Sequence, residues 1–307
     1  MTGELLSLAV AVMWTFTALF AEVASKRLGA LTLNVWRMVL TLLLLAATLW
    51  FFCGTPWPQH ASWQVWAWML ASGFMGFVFG DYCLFNSYVL IGSRFGQLFM
   101  TLASPFAALT AWLMLGEHMT IQAMFGMVIT LSGIGISILG RNEEGKRRIK
   151  FPLRGILLGI GAGMGQGVGL VFSKMGLQAY EANLPAQATD VAMMMPFAGT
   201  MIRALMGLLG FGAAMLWNRQ VHTLPRLWHD RKAAASTFAL ILLGPFLGVS
   251  FSLMAVNMTD AGVAQTLMSL TPIFILWPAR LMFGNKVTWQ EVIGAFIAVA
   301  GASLFFL

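Results

Sequence analysis

The stretch GEHMTIQAMFG at residues 116–126 occurs a second time, in altered form, as GNKVTWQEVIG at residues 284–294. Both copies keep Gly, Thr, Gln and Gly at the same spacing. A Ser/Thr-Pro pair precedes each copy and a further glycine follows it, namely Ser104-Pro105 and Gly133, then Thr271-Pro272 and Gly301. The offset is 167 residues at the prolines and 168 at the glycines. A near-constant offset that includes positions with no hydrophobic role indicates an internal duplication.

The composition is that of a membrane protein. Of the 307 residues, 59% are hydrophobic and only 9% are charged, whereas about 25% of the residues in soluble domains are charged. Apolar runs of about 20 residues recur along the chain, and each is long enough to cross a bilayer as a helix. The runs do not alternate polar and apolar residues as barrel strands do. We therefore expect an all-α membrane protein.

The apolar runs predict ten transmembrane helices, arranged as two repeats of five. They cover residues 4–24, 31–53, 64–88, 92–115, 119–140, 154–177, 194–217, 236–256, 262–283 and 288–307. Residues 1–140 form the first repeat of five helices, residues 141–153 a basic linker, and residues 154–307 the second repeat.

Lysine and arginine residues concentrate in alternate loops. The odd-numbered loops hold Lys26 and Arg27, Arg94, the basic linker, the group from Arg219 to Lys232, and Lys286. By the positive-inside rule these loops face the cytoplasm and both termini face the other side. Because each repeat has an odd number of spans, the second enters the membrane upside down, so the repeats are inverted. The long stretch between Lys174 and Arg203 predicts an extended external loop, and an interfacial helix within it is an open alternative.

The paired segments, from Pro105 to Gly133 and from Pro272 to Gly301, resemble those of the drug/metabolite transporter (DMT) superfamily, and specifically its ten-helix EamA-type members. The resemblance covers nearly the whole chain. One departure is Asn285, where the family usually has an acidic residue. The resemblance implies a carrier of metabolites or drugs, commonly an exporter, in a bacterial cytoplasmic (inner) membrane. It implies no particular substrate.

Polar residues deep in the spans are the candidates for substrate binding, because transporters built from inverted repeats hold substrate near the midplane between the repeats. The candidates are Trp14, Thr17, Asp81, Gln97, Thr101, Gln166, Gln265 and Ser269. Trp14 and Gln166 are the first choice, because they match in the repeat alignment and lie near the middle of their spans. For Ser and Thr, the structural alternative is a hydrogen bond to the helix backbone.

Asp81 is the sharpest candidate, because a charged residue at the centre of a span costs about 2.5–3.5 kcal/mol to insert. Protonation would remove the charge, so Asp81 could couple proton entry to substrate exit. The alternative places Asp81 near the end of a shorter span, paired with Arg94. Arg37 and Arg203 also match in the alignment, and lipid head groups are favoured over an anionic substrate as their ligands.

Four further residues are candidates for gating. Glu22 and Lys174 occupy matching positions near the ends of the first and sixth spans, so an ion pair between them could close one side of the cavity. Pro105 and Pro272 should each free a backbone carbonyl one turn earlier, which gives both repeats a matched kink.

The sequence predicts a secondary transporter that exports small metabolites, such as amino acids, by alternating access, with protons as the candidate coupling ion. The alternative within transport is a multidrug efflux carrier for lipophilic cations. An alternative of another class is a membrane-embedded enzyme or sensor. The four histidines are far apart and form no catalytic cluster, so we expect no enzymatic activity, metal or cofactor. The expected partners are a small-molecule substrate and membrane lipids, without nucleic acid, for a monomer or homodimer.

Overall fold

The computed structural model describes residues 2–116, 121–141, 147–149, 151–185, 188–258, 267–284 and 287–304. Within these residues the chain is helical almost throughout. Five helical stretches are long and apolar enough to cross a membrane, namely Gly3–Leu28, Ala30–Cys53, Trp63–Met100, Leu153–Asn183 and Thr189–Trp217. Shorter apolar helices lie in both halves of the chain. This architecture fits a membrane protein with several spans.

The described part of the first half contains six α-helices. They are α1 (Thr2–Leu28), α2 (Ala30–Cys53), α3 (Trp63–Gly73), α4 (Tyr82–Met100), α5 (Ala103–Leu115) and α6 (Ile121–Ile138). A π-helical segment, Phe74–Asp81, joins α3 to α4. Gly92 kinks α4 with φ 81° and ψ 160°, a backbone conformation that glycine adopts without a side-chain clash. A Cβ atom added to Gly96 would lie 2.4 Å from the ring of Tyr88, eight residues earlier, so the chain turns back at Gly92. This turn coincides with the predicted boundary between the third and fourth spans, at residues 88–92.

The second half begins after a short hairpin, in which β1 (Leu139–Arg141) pairs antiparallel with β2 (Arg147–Ile149). Its helices are α7 (Leu153–Asn183), α8 (Thr189–Trp217), α9 (Arg226–His229), α10 (Arg231–Ile241), α11 (Leu247–Met258), α12 (Thr271–Phe274), α13 (Leu276–Phe283) and α14 (Trp289–Ser303). A 3-10 turn, Val221–Thr223, precedes α9, and a π-helical segment, Leu242–Phe246, joins α10 to α11.

α7 is longer than the sequence predicts. Tyr180, close to its end, is fully buried, and its hydroxyl donates a hydrogen bond to the backbone carbonyl of Gln59. The amide of Asn183 donates to the carbonyl of Ala179 at 2.6 Å. The prediction of an extended loop between Lys174 and Arg203 is therefore wrong for most of that stretch, because packing against the segment around Gln59 keeps the chain helical.

The duplicated glycines form the contact between α6 and α14. A Cβ atom added to Gly133 or to Gly294 would lie 2.6 Å from the carbonyl oxygen of the other residue. One added to Gly301 would lie 2.8 Å from the carbonyl oxygen of Gly126. In the duplication, Gly126 corresponds to Gly294 and Gly133 to Gly301. Exchanging the two halves therefore turns the contact between Gly133 and Gly294 into the contact between Gly301 and Gly126. Such reciprocal contacts are those of two units related by a two-fold axis.

α7 has glycines on two sides and lies between two sets of helices. A Cβ atom on Gly165 would lie 2.6 Å from the Cα atom of Gly80, in the π-helical segment. On another side, one on Gly163 would lie 2.8 Å from the carbonyl oxygen of Phe99, in α4. Small residues let helix backbones approach this closely in membranes. The middle of α7 is therefore held against the centre of the first repeat.

Candidate functional site

A cavity of about 160 Å³ lies where helices of both halves end. Its lining includes five of the residues singled out in the sequence: Trp14, Gln97, Thr101, Ser269 and Pro272. Thr101 and Ser269 are 168 residues apart, which is the offset of the duplicated glycines. The structure therefore brings matched positions of the two halves together around one space.

Each side of the cavity is a break between helices. The turn at Thr101 and Leu102 separates α4 from α5, and the turn at Ser269 and Leu270 precedes α12. In the first turn, the N–H of Thr101 donates to the carbonyl of Leu98, three residues earlier, at 3.2 Å. In the second turn, the N–H of Leu270 donates to the carbonyl of Leu267 at 3.2 Å. Bonds over three residues tighten a helix end. The two breaks therefore share one geometry.

Pro105 and Pro272 lie in the first turns of α5 and α12, so they begin helices and do not kink continuous ones. Proline is tolerated there because first-turn N–H groups have no helical partner. Proline has no backbone N–H. Pro105 therefore cannot donate to the carbonyl of Thr101, and Pro272 cannot donate to the carbonyl of Met268. The carbonyl of Met268 accepts a hydrogen bond from the Thr271 hydroxyl at 3.0 Å instead. The predicted matched kinks are therefore full helix breaks.

Trp14 and Gln97 are the large polar side chains of the cavity wall. The amide nitrogen of Gln97 donates to the hydroxyl of Tyr88 at 2.8 Å, and Tyr88 is buried. The indole nitrogen of Trp14 lies beside Gly248, where an added Cβ atom would be 2.8 Å away. Amide and indole N–H groups are hydrogen-bond donors, which suits a polar ligand.

A charged cluster, formed by Arg37, Asp81, Gln166 and Arg203, lies apart from this cavity. Asp81 is 3% exposed. Its carboxylate pairs with the guanidinium of Arg37 and accepts a hydrogen bond from the amide nitrogen of Gln166 at 3.0 Å. The same nitrogen donates to the carbonyl of Gly76 at 3.1 Å. Since Asp81, Gln166 and Arg203 lie near the middle of their helical stretches, the cluster is at the centre of the bundle.

Aromatic rings cover both arginines of the charged cluster. The guanidinium carbon of Arg37 lies 4.9 Å from the ring centroid of Phe85, and that of Arg203 lies 4.6 Å from Phe77. These are cation–π distances. With two arginines and one carboxylate, Asp81, the cluster has a formal charge of +1. Both arginines point into the bundle, and this placement favours the alternative ligand, an anionic substrate, over lipid head groups.

Arg94 does not pair with Asp81. Its guanidinium lies 3.2 Å from the carboxylate of Glu291, and both side chains are almost buried. The alternative with Asp81 at the end of a short span is therefore wrong, since the helical stretch that begins at Trp63 continues beyond Asp81 as far as the kink at Gly92. The sequence analysis missed Glu291. The available signal was the capping-box spacing from Thr288 to Glu291, and the Thr288 hydroxyl accepts a hydrogen bond from the N–H of Glu291 at 3.4 Å.

Glu22 is 2% exposed and holds two partners at the end of α1. One carboxylate oxygen accepts a hydrogen bond from Lys26 at 2.5 Å, and the other accepts one from the backbone N–H of Ser93 at 2.5 Å. The kink at Gly92 exposes this N–H to the carboxylate. Nearby, Asp230 pairs with Arg27 at 2.8 Å. Hydrogen bonds from the Ala233 N–H and from Arg27 lower the pKa of Asp230.

Lys174 lies at the other end of the bundle. Its neighbour Ser173 bonds to Ser72 at 2.8 Å, and Ser72 precedes Ser93 by 21 residues of helix, or about 30 Å. The predicted ion pair between Glu22 and Lys174 is therefore wrong. Glu22 and Lys174 therefore lie at opposite ends of the bundle.

The remaining candidates for substrate binding are Thr17 and Gln265. The hydroxyl of Thr17 donates to the carbonyl of Met13 at 2.8 Å, which is the backbone bond expected as the structural alternative. Its methyl group also packs against Gly244, where an added Cβ atom would lie 2.8 Å away. Gln265 lies outside the described residues.

Comparison with known proteins places the chain in a family. The model of the EamA-like transporter family matches residues 1–139 and 153–307. No curated protein matches the chain. The chain is similar to one protein of known crystal structure, with a TM-score of 0.58 and 16% sequence identity, over 99% of this chain and 96% of that one. That similarity shows a shared fold. Because the family model covers nearly every residue, this protein belongs to the EamA-like transporter family of the DMT superfamily.

Proposed function

We propose that this protein is a secondary carrier that moves small metabolites across the bacterial cytoplasmic membrane by alternating access. In this proposal, ten transmembrane helices form two inverted repeats, residues 1–140 and 154–307, joined by the linker at 141–153. The observation that supports it is the cavity between the matched breaks at Thr101 and Ser269. Carriers built from inverted repeats hold substrate at the repeat interface and rock around it.

The acidic residues Glu22 and Glu291 form the proposed gate at one end of the cavity. Their partners Ser93 and Arg94 are adjacent in the chain, so the two contacts tie α1 and α14 to the same point of α4. Breaking both contacts opens this end. The basic residues of the neighbouring loops put it on the cytoplasmic side and both termini on the other side.

Amino acids and related compounds are the proposed substrates, and export is the proposed direction. Asp81 is the proposed proton acceptor, and accepting a proton would release its partner Arg37. The charged cluster disfavours efflux of lipophilic cations, because its formal charge of +1 repels a cation where the dielectric constant is low.

The proposal is tested by uptake into liposomes that contain the purified protein. Saturable uptake of labelled amino acids is expected, with an additional dependence on an imposed pH gradient that Asp81→Asn removes. Trp14→Ala should reduce the rate about ten-fold, equivalent to ~1.4 kcal/mol. Trp217→Ala is the matched control, because Trp217 is 90% exposed at the end of α8. Uptake no faster than in protein-free liposomes, for every metabolite tested, would contradict the proposal.

A further inference from the structure

Arg203 is a positive charge without a counterpart at the centre of the bundle. It lies in the middle of α8, and its guanidinium carbon is 4.6 Å from the ring centroid of Phe77. Within the described part of the chain, it makes no hydrogen bond or ion pair, and its buried Nε atom has no acceptor. A guanidinium has five N–H donors. Leaving all of them without an acceptor in a membrane is costly unless something else binds there.

The surrounding charges do not balance Arg203. The carboxylate of Asp81 already holds Arg37 and Gln166. The next acidic residue of this region, Glu22, is occupied by Lys26 and by a backbone N–H. The cluster therefore lacks one negative charge. It also lacks hydrogen-bond acceptors, because the buried Nε atom of Arg37, like that of Arg203, has no partner among the described residues.

We propose that the transported molecule carries a carboxylate, and that Arg203 and Arg37 bind this group at the centre of the membrane. This inference rests on the proposed carrier function. Guanidinium groups bind carboxylates through two parallel hydrogen bonds, so one carboxylate supplies both the missing charge and the missing acceptors. The Arg37 side chain keeps 13% of its surface exposed at this depth, which leaves a face for a ligand.

The helix α4 connects the charged cluster to the cavity. Asp81, Phe85 and Tyr88 are spaced four and three residues apart, so they lie on one face of this helical stretch. Tyr88 then accepts a hydrogen bond from Gln97, which lines the cavity. Seven residues of helix separate Asp81 from Tyr88, which is about 10 Å. The two arginines therefore form a binding site about 10 Å from the cavity, within reach of a substrate that moves through the protein.

The binding of an anion can be measured without transport, by thermal unfolding of the purified protein in detergent. Sodium acetate should raise the Tm of the wild type above that in sodium chloride of equal ionic strength, and Arg203→Gln should abolish this difference. Arg280→Gln should keep it, because Arg280 is an exposed cation on α13. Without acetate, Arg203→Gln should leave the Tm unchanged or raise it, since it removes an unpaired buried charge.

The same measurement with other anions shows which kind of anion the two arginines bind. Stabilisation by inorganic phosphate in place of acetate would overturn the carboxylate assignment. Stabilisation by phosphatidylglycerol alone would assign the arginines to a lipid head group and overturn the substrate site. An unchanged acetate effect in Arg203→Gln, with a lower Tm in chloride, would give Arg203 a purely structural role.

A transport measurement separates this inference from the carrier function. Liposomes with wild-type protein should take up leucine and phenylalanine at least ten times faster than leucinamide and phenylalaninamide, which lack the carboxylate. Arg203→Lys should keep part of this preference, and Arg203→Gln should lose it. Equal uptake of acids and amides would overturn the carboxylate site and leave the carrier function intact. Uptake of neither would count against the carrier function itself.

Discussion

The cavity and the charged cluster both lie deep in the helix bundle, but they differ in symmetry. At the cavity, Thr101 faces the position of Ser269, and each of these residues has its counterpart on the other side. In the charged cluster, Arg37 and Arg203 correspond, but Asp81 has no acidic counterpart in the second half. The duplication therefore accounts for the helix breaks and the space between them. In the charged cluster, the two arginines follow the duplication and the acidic residue does not.

The largest effect is expected at the symmetric contact of α6 with α14. Gly133→Val should abolish the recovery of folded protein, because the new Cβ atom would lie 2.6 Å from the carbonyl oxygen of Gly294 and the helices would have to separate. Gly135→Val is the matched control on the same helix, since an added Cβ atom there meets nothing within 4 Å. Size-exclusion chromatography of both variants checks this. Normal yield and elution of Gly133→Val would refute the close contact.

A smaller but still large effect is expected in the charged cluster. Asp81→Asn should destabilise the protein by about 3–5 kcal/mol, because it leaves the guanidinium of Arg37 without its carboxylate partner. Adding Arg37→Gln should recover part of this loss, since the ion partner of Asp81 is then also removed. Thermal unfolding of the single and double variants gives the coupling. If the two losses simply add, the ion pair contributes nothing.

The smallest effect is expected from the matched prolines, and it tests whether the cavity is functionally symmetric. Pro105→Ala and Pro272→Ala each restore an N–H that can bond to the carbonyl of Thr101 or Met268 and so extend a helix across the break. Both variants should slow uptake by a similar factor, about three- to ten-fold, which is ~1 kcal/mol. Initial rates in liposomes measure this. A loss in one variant only would show that the two breaks have different roles.

Part of the cavity lining could be predicted from the sequence, because its signals are local. Polar side chains within apolar runs identified Trp14, Gln97 and Thr101, and the duplicated Ser/Thr-Pro pairs marked the breaks. Such signals need no knowledge of which helices touch. The loop charges predict inverted repeats, and in such an arrangement the matched residues Glu22 and Lys174 would lie at opposite ends of the bundle and could not pair.

The partners of the charged residues could not be read from the sequence. Arg37 is 44 residues from Asp81, and Glu291 is almost 200 residues from Arg94, so only the packing of the helices decides which charges meet. The break at Gly92, in contrast, lies at the predicted boundary between the spans at 64–88 and 92–115.

The bond between Glu22 and the backbone of Ser93 has a consequence for how this protein tolerates change. The donor is a peptide nitrogen, so any amino acid except proline at position 93 retains it, whatever its side chain. The constraint falls on the preceding residue, because a left-handed φ of 81° is strained for anything larger than glycine. Conservative changes of the buried Ser93 side chain should therefore keep this contact, whereas changes of Gly92 should break it.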